Sequence, residues 1–113
     1  MGRGRSLRST CDEVRPVLHG DVVDAARALL AATPEARPSL CRAMFRRAEL
    51  ADRYLRRHGR LHPRWGNGTL MSAARRHMLA PEPTFDDGPY RQCFVMVLSE
   101  LGAVRADGGG SCG

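Results

Sequence analysis

The residue types suited to chemistry gather between positions 56 and 79. This stretch holds the only Trp, three of the four His, and a Gly-Asn-Gly turn. In Gly66-Asn67-Gly68-Thr69 the glycines permit positive φ, and Asn-Gly favours a tight turn. Free N–H groups at the start of a following helix would then cradle an anion, with Arg60 or Arg64 beside them. A phosphate loop of the Walker type would need a Lys before the Thr and a strand ahead of the glycines, and both are missing. The structural alternative is that Thr69 or Asn67 caps the next helix while Trp65 plugs the core.

Other chemistries find less support. His58 and His62 are four apart, as helix-borne metal ligands often are, but Gly59 and Pro63 interrupt the helix and no Glu follows His58. Ser72, Cys41, Cys93 and the Asp86-Asp87 pair lack a nucleophile or acid–base setting. No catalytic residue, metal ligand set or cofactor motif is therefore assigned.

Charge gives the strongest functional signal. All 18 basic residues are Arg. Residues 42 to 76 carry ten Arg against Glu49 and Asp52, a net of +8 within a chain of formal charge +6. Arg42, Arg46, Arg47, Arg57, Arg60, Arg64, Arg75 and Arg76 have no acid partner in the pairs Glu49–Arg53 and Asp52–Arg56, and can track phosphates without reading sequence. Trp65 can stack on an exposed base. Against this, Arg at helix ends complements the backbone dipole, and Glu82, Asp86 and Asp87 can fold back onto the patch. No helix-turn-helix or other reader motif is evident.

These residues have to be positioned by a small domain. At 113 residues the chain holds one core. The expected organisation is a disordered basic tail over 1–13, a helical domain over 14–105 and a disordered tail over 106–113. No apolar run is long enough to span a membrane, and the first residues lack the apolar core of a secretory signal. Four scattered cysteines without a C-x-x-C pair fit reduced thiols, hence a cytoplasmic protein.

Apolar periodicity predicts an all-α fold, a small four-helix bundle. The first helix opens at Gly20-Asp21, carries Val22, Val23, Ala26, Leu29 and Leu30 on one face, and stops at Thr33-Pro34. Val17 and Leu18 lead in across the core. The second runs over about 38–58, with Leu40, Met44, Ala48, Ala51 and Leu55 inward, Glu49–Arg53 and Asp52–Arg56 as surface pairs, and Gly59 as its stop. The third begins near Thr69 and runs to about Leu79, with Leu70, Met71, Ala74 and Met78 inward. The fourth spans about 89–105 behind an Asp87 cap. Because Cys93 to Leu98 is apolar on every side, the fourth helix is expected at the centre of the bundle or at a subunit interface.

Several segments are similar to a known group. Val14 to Val23, Ala51-Asp52-Arg53-Tyr54, His62-Pro63-Arg64-Trp65-Gly66-Asn67-Gly68 with the following Thr69-Leu70-Met71, and Asp86-Asp87 before Tyr90 resemble a small family of uncharacterised alphaproteobacterial proteins of the Rhodobacter type, a domain of unknown function. The resemblance covers about residues 14 to 105 and is most specific in the His-Pro-Arg-Trp-Gly-Asn-Gly segment. It implies a helical fold in a bacterial cytoplasm and carries no activity. It also implies that residues 1–13 are an added or over-called start.

The functional expectation is a non-enzymatic binding or accessory protein. It would engage an anionic partner, nucleic acid or acidic protein, through Arg57, Arg60, His62, Arg64, Asn67, Thr69, Arg75 and Arg76. The alternative is an oligomerising or adaptor subunit, for instance a homodimer, that uses the apolar fourth helix. An enzyme centred on the Trp65 to Thr69 loop ranks last.

Overall fold

The computed structural model describes residues 16–112, with side chains described as far as Ala106. The expected tail over 1–13 lies outside the described residues. Four helices form the fold: α1 (His19–Ala31), α2 (Arg37–His58), α3 (Leu70–Ala74) and α4 (Gly88–Cys112), with a 3₁₀ turn at Pro34–Ala36 leading into α2. Among the described residues the one β-type pairing is an isolated bridge between His62 and Gly66. The second helix starts and stops where its punctuation predicts, and Gly59 takes φ 71° to end it. Helical geometry in α4 continues past Arg105, the limit that the apolar period marks, as far as Cys112.

The centre of the fold differs from the expectation. Helix α1, rather than α4, is the buried hub, because Ala25, Ala26, Ala28 and Leu29 are all shielded from solvent to within 1%. Three alanines on one helix let neighbouring backbones approach closely, and α1 packs against α2, α3 and α4 alike. Met44, Cys41 and Ala48 of α2, Leu70, Ala73 and Ala74 of α3, and Tyr90, Cys93 and Val97 of α4 close the core around it. Two apolar residues expected inside lie outside: Leu18 is 65% and Met78 is 80% exposed. Val17 does pack on the core.

Met78 is displaced because α3 ends after Ala74 and not near Leu79. The chain leaves through tight turns, with Arg76 N–H donating to Ala73 O at 3.3 Å and His77 N–H to Ala74 O at 3.0 Å. A helix of five residues has too few internal bonds to persist alone. Carboxylates of α1 hold it in place. Asp21, only 4% exposed, accepts from Leu18 N–H at 2.8 Å and from Met71 N–H at 3.0 Å. One carboxylate thus satisfies unpaired donors at the starts of two helices. One turn on, Asp24 accepts from Arg75 Nε at 2.7 Å and pairs with Arg27 at 3.4 Å.

Guanidinium groups also tie down chain ends. Arg37 donates to Leu29 O at 2.8 Å and Leu30 O at 3.2 Å, capping the C-terminal carbonyls of α1. Arg27 donates to Ala80 O at 2.7 Å and fixes the start of the connector. Asp87 caps α4 as expected, accepting from Tyr90 N–H at 2.9 Å.

Removing the shared carboxylate leaves two donors unpaired next to the core. Asp21→Ala should lower the free energy of unfolding by about 2–4 kcal/mol in urea titration. Asp21→Asn keeps one acceptor oxygen and should cost about half as much.

Candidate polyanion interface

Helical spacing sets one wall of the site. Arg42, Arg46, Arg53 and Arg57 recur along one side of α2, and all four are exposed. From Arg42 to Arg57 this row runs about 22 Å at the α-helical rise. Glu49 interrupts it and pairs with Arg53 at 2.7 Å. The other expected pair also forms, with Arg56 to Asp52 at 2.7 Å. Both contacts follow acid-before-base spacing of four.

The loop after Gly59 adds a second wall through a closed miniature hairpin. His62 N–H donates to Gly66 O at 3.0 Å and Gly66 N–H donates back to His62 O at 3.1 Å. Within this ring His62 Nδ1 accepts from the backbone N–H of Arg64 at 3.0 Å and of Trp65 at 3.1 Å. The imidazole therefore braces the tip that displays Arg64 and Trp65. Gly66 and Gly68 have φ of 82° and 90°, a region that side chains rarely enter. Gly68 is further constrained, because a Cβ there would lie 2.7 Å from Asp52 Cα. The loop backbone consequently rests directly on α2.

Asn67 and Thr69 finish the loop by capping α3. Asn67 Oδ1 accepts from Thr69 N–H at 3.0 Å, Thr69 Oγ1 at 2.7 Å and Ser72 Oγ at 2.8 Å. Thr69 Oγ1 in turn accepts from Ser72 N–H at 3.1 Å. The acceptor atoms of Asn67, Thr69 and His62 are thus engaged within the loop, and the three residues act as its frame.

Trp65 does not plug the core. It is partly exposed and lies outside the core cluster, stacked on His62 with ring centroids 4.7 Å apart and planes 12° from parallel. His62 meets Tyr54 edge-on at 4.9 Å, and Tyr54 meets His58 at 4.3 Å. Four rings therefore form a ladder from the flank of α2 out to the loop tip. Sequence reasoning missed it, although Tyr54 and His58 stand four apart on α2.

The Arg residues divide into two groups. Arg75, expected on the open face, is tied to Asp24, and Arg47 Nη1 lies 3.2 Å from His77 Nε2. Arg42, Arg46, Arg57, Arg60, Arg64 and Arg76 are exposed, and their side chains carry no hydrogen bond or ion pair among the described residues. Glu82 and Asp86, which could have folded back, are exposed and pair with none of them. His58, His62 and His77 do not converge, and no group of three or more His, Cys, Asp or Glu suited to a metal occurs among the described residues. Cys41 and Cys93 are buried free thiols. Burial, followed by the Glu100 charge, pushes Cys41 up to about 12, and burial also raises Cys93. Neither is a ready nucleophile.

With this geometry in place, comparison with known sequences gives one match. A family model described as "Domain of unknown function (DUF7742)" matches residues 15–101. The chain belongs to this family. The matched span takes in all of α1, α2 and α3, the loop and most of α4. No curated protein and no solved structure matches the chain significantly. Among the described residues no helix is long and apolar enough to cross a membrane.

His77 makes the margin of the site sensitive to pH. Desolvation, and after it the Arg47 charge, hold its imidazole below the ordinary value of 6.5. Since the folded value lies below the unfolded one, the unfolded chain takes up the proton first. The stabilisation is complete above pH 6.5 and is lost as pH falls through the folded value. Stability measured against pH should therefore drop more steeply on acidification in the wild type than in His77→Gln. The two curves should run parallel above 6.5.

Proposed function

We propose that this family member is a non-enzymatic binding or accessory protein of the bacterial cytoplasm. It engages an anionic partner, nucleic acid or acidic protein, through the Arg row of α2 and the 59–68 loop. The observation that carries this reading is the set of six exposed Arg side chains without a partner among the described residues. Among the residues expected from sequence, Arg57, Arg60, Arg64 and Arg76 make the contacts. His62, Asn67 and Thr69 position the loop, and Arg75 serves the fold through Asp24. Guanidinium groups suit phosphate and carboxylate because their fork of donors binds two oxygens at once. The free thiols of Cys41 and Cys93 suit a reducing compartment.

Binding of this kind weakens steeply with salt, because each neutralised phosphate releases a counterion. Wild-type protein should be retained on heparin and released at moderate salt. The double variant Arg60→Glu, Arg64→Glu should elute clearly earlier, and unchanged elution would overturn the reading.

A second reading rests on α4. Val95 and Leu98, three apart on this helix, are 58% and 45% exposed, a face that pairing with another copy of the chain would cover. If α4 serves as that interface, light scattering should give a dimer mass that Leu98→Glu converts to a monomer.

A further inference from the structure

The anionic-partner reading leaves nucleic acid and acidic protein equivalent, and the four-ring ladder separates them. The carboxylates of an acidic peptide are met by guanidinium groups alone and have no face to stack on an indole. A nucleobase offers a π-face that every aromatic ring can stack on, whatever the sequence. The ladder sits where the charges need it. Arg60 and Arg64 flank His62 in the loop, and Arg57 lies three residues from Tyr54 on the adjoining side of α2, all three exposed and unpaired among the described residues.

We propose that the His62–Trp65 stack, flanked by Arg57, Arg60 and Arg64, is a base-stacking site for single-stranded nucleic acid. The proposal rests on the preceding reading and goes beyond it. Three features of the loop support it. The two N–H donations to His62 Nδ1 fix the imidazole under the indole at 12° from parallel, so the platform exists before any ligand arrives. Trp65 is partly exposed and meets no ring but His62 among the described residues, so a base can add to the stack at the Trp65 end without displacing another ring. The Arg row on α2 then offers the sugar-phosphate backbone a charged track that continues away from the stack. A duplex cannot use the platform, because its bases are already stacked on each other. It would bind through the Arg row alone, more weakly and without contact to Trp65.

The chain's single Trp makes the test direct. A short dye-labelled oligonucleotide of mixed sequence, its annealed duplex, and polyglutamate would each be titrated at low salt. Affinity would be followed by anisotropy and Trp65 by its own emission. The expected result is quenching by the single strand, weaker duplex binding without quenching, and weakest binding to polyglutamate. Trp65→Ala should weaken single-strand binding about 5- to 150-fold and leave duplex and heparin binding unchanged. Trp65→Phe should restore part of the loss and so rule out a folding defect.

Single-strand binding by Trp65→Ala at the wild-type level, or wild-type binding without change in emission, would overturn the stacking site. If the Arg60→Glu, Arg64→Glu variant still lost heparin retention, the anionic-partner reading would stand without it. Polyglutamate binding as tight as that of the single strand would overturn the proposal in favour of an acidic protein. Failure of every polyanion to bind the wild type would remove both.

Discussion

A carboxylate buried beside the core is costly unless its oxygens are bonded, and Asp21 meets that condition by serving two helix starts at once. The consequence reaches across the molecule. Helix α3 is too short to exist without outside help, so its position is set by what Asp21 and Asp24 accept from it. Once α3 is held, Thr69 and Asn67 cap it from the loop side. Gly68 is then pressed against Asp52 of α2, at a distance that no Cβ could share. The hairpin that displays Arg64 and Trp65 hangs from this contact. The geometry of the outer face thus descends from acid groups on the inner one.

Some of this could be read directly from residue order, because single residues carried the signal. Gly59 stops α2, Thr69 caps α3 and Asp87 caps α4, each through a bond that its residue type makes locally. The acid–base pairs on α2 followed from spacing in the same way. What escaped was decided by tertiary packing. The pattern Leu70, Met71, Ala74, Met78 is that of a three-turn helix, yet the chain departs after Ala74 and leaves Met78 in solvent. An apolar run such as Cys93 to Leu98 suggested the centre of the fold, but the centre went to the alanines of α1, whose small size permits closer approach.

The site was visible in composition and mistaken in detail for the same reason. Ten Arg in residues 42–76 announced a basic face. Which of them stayed free depended on partners distant in the chain. Asp24 claims Arg75 from 51 positions away, and no local rule pairs them. Trp65 beside glycines suggested a brace for the interior, yet the stack on His62 takes it outward. An acid at the edge of an apolar stripe, as Asp21 and Asp24 are on α1, was the available clue that a distant donor must come to it.

The distribution of charge that results has a cost. Among the described residues the three buried acids, Asp21, Asp24 and Asp52, are used on internal backbone and on Arg27, Arg56 and Arg75. Along α2 this leaves Glu49 as the one exposed acid beside the row of Arg. Arg42 with Arg46, and Arg53 with Arg57, are like charges four apart on one helix, each pair unfavourable by a few tenths of a kcal/mol, about 0.2–0.5. No hydrogen bond or ion pair among the described residues engages Arg42, Arg46 or Arg57. A phosphate backbone laid along the row would relieve the repulsion on the same side chains that create it, so binding and helix stability would rise together.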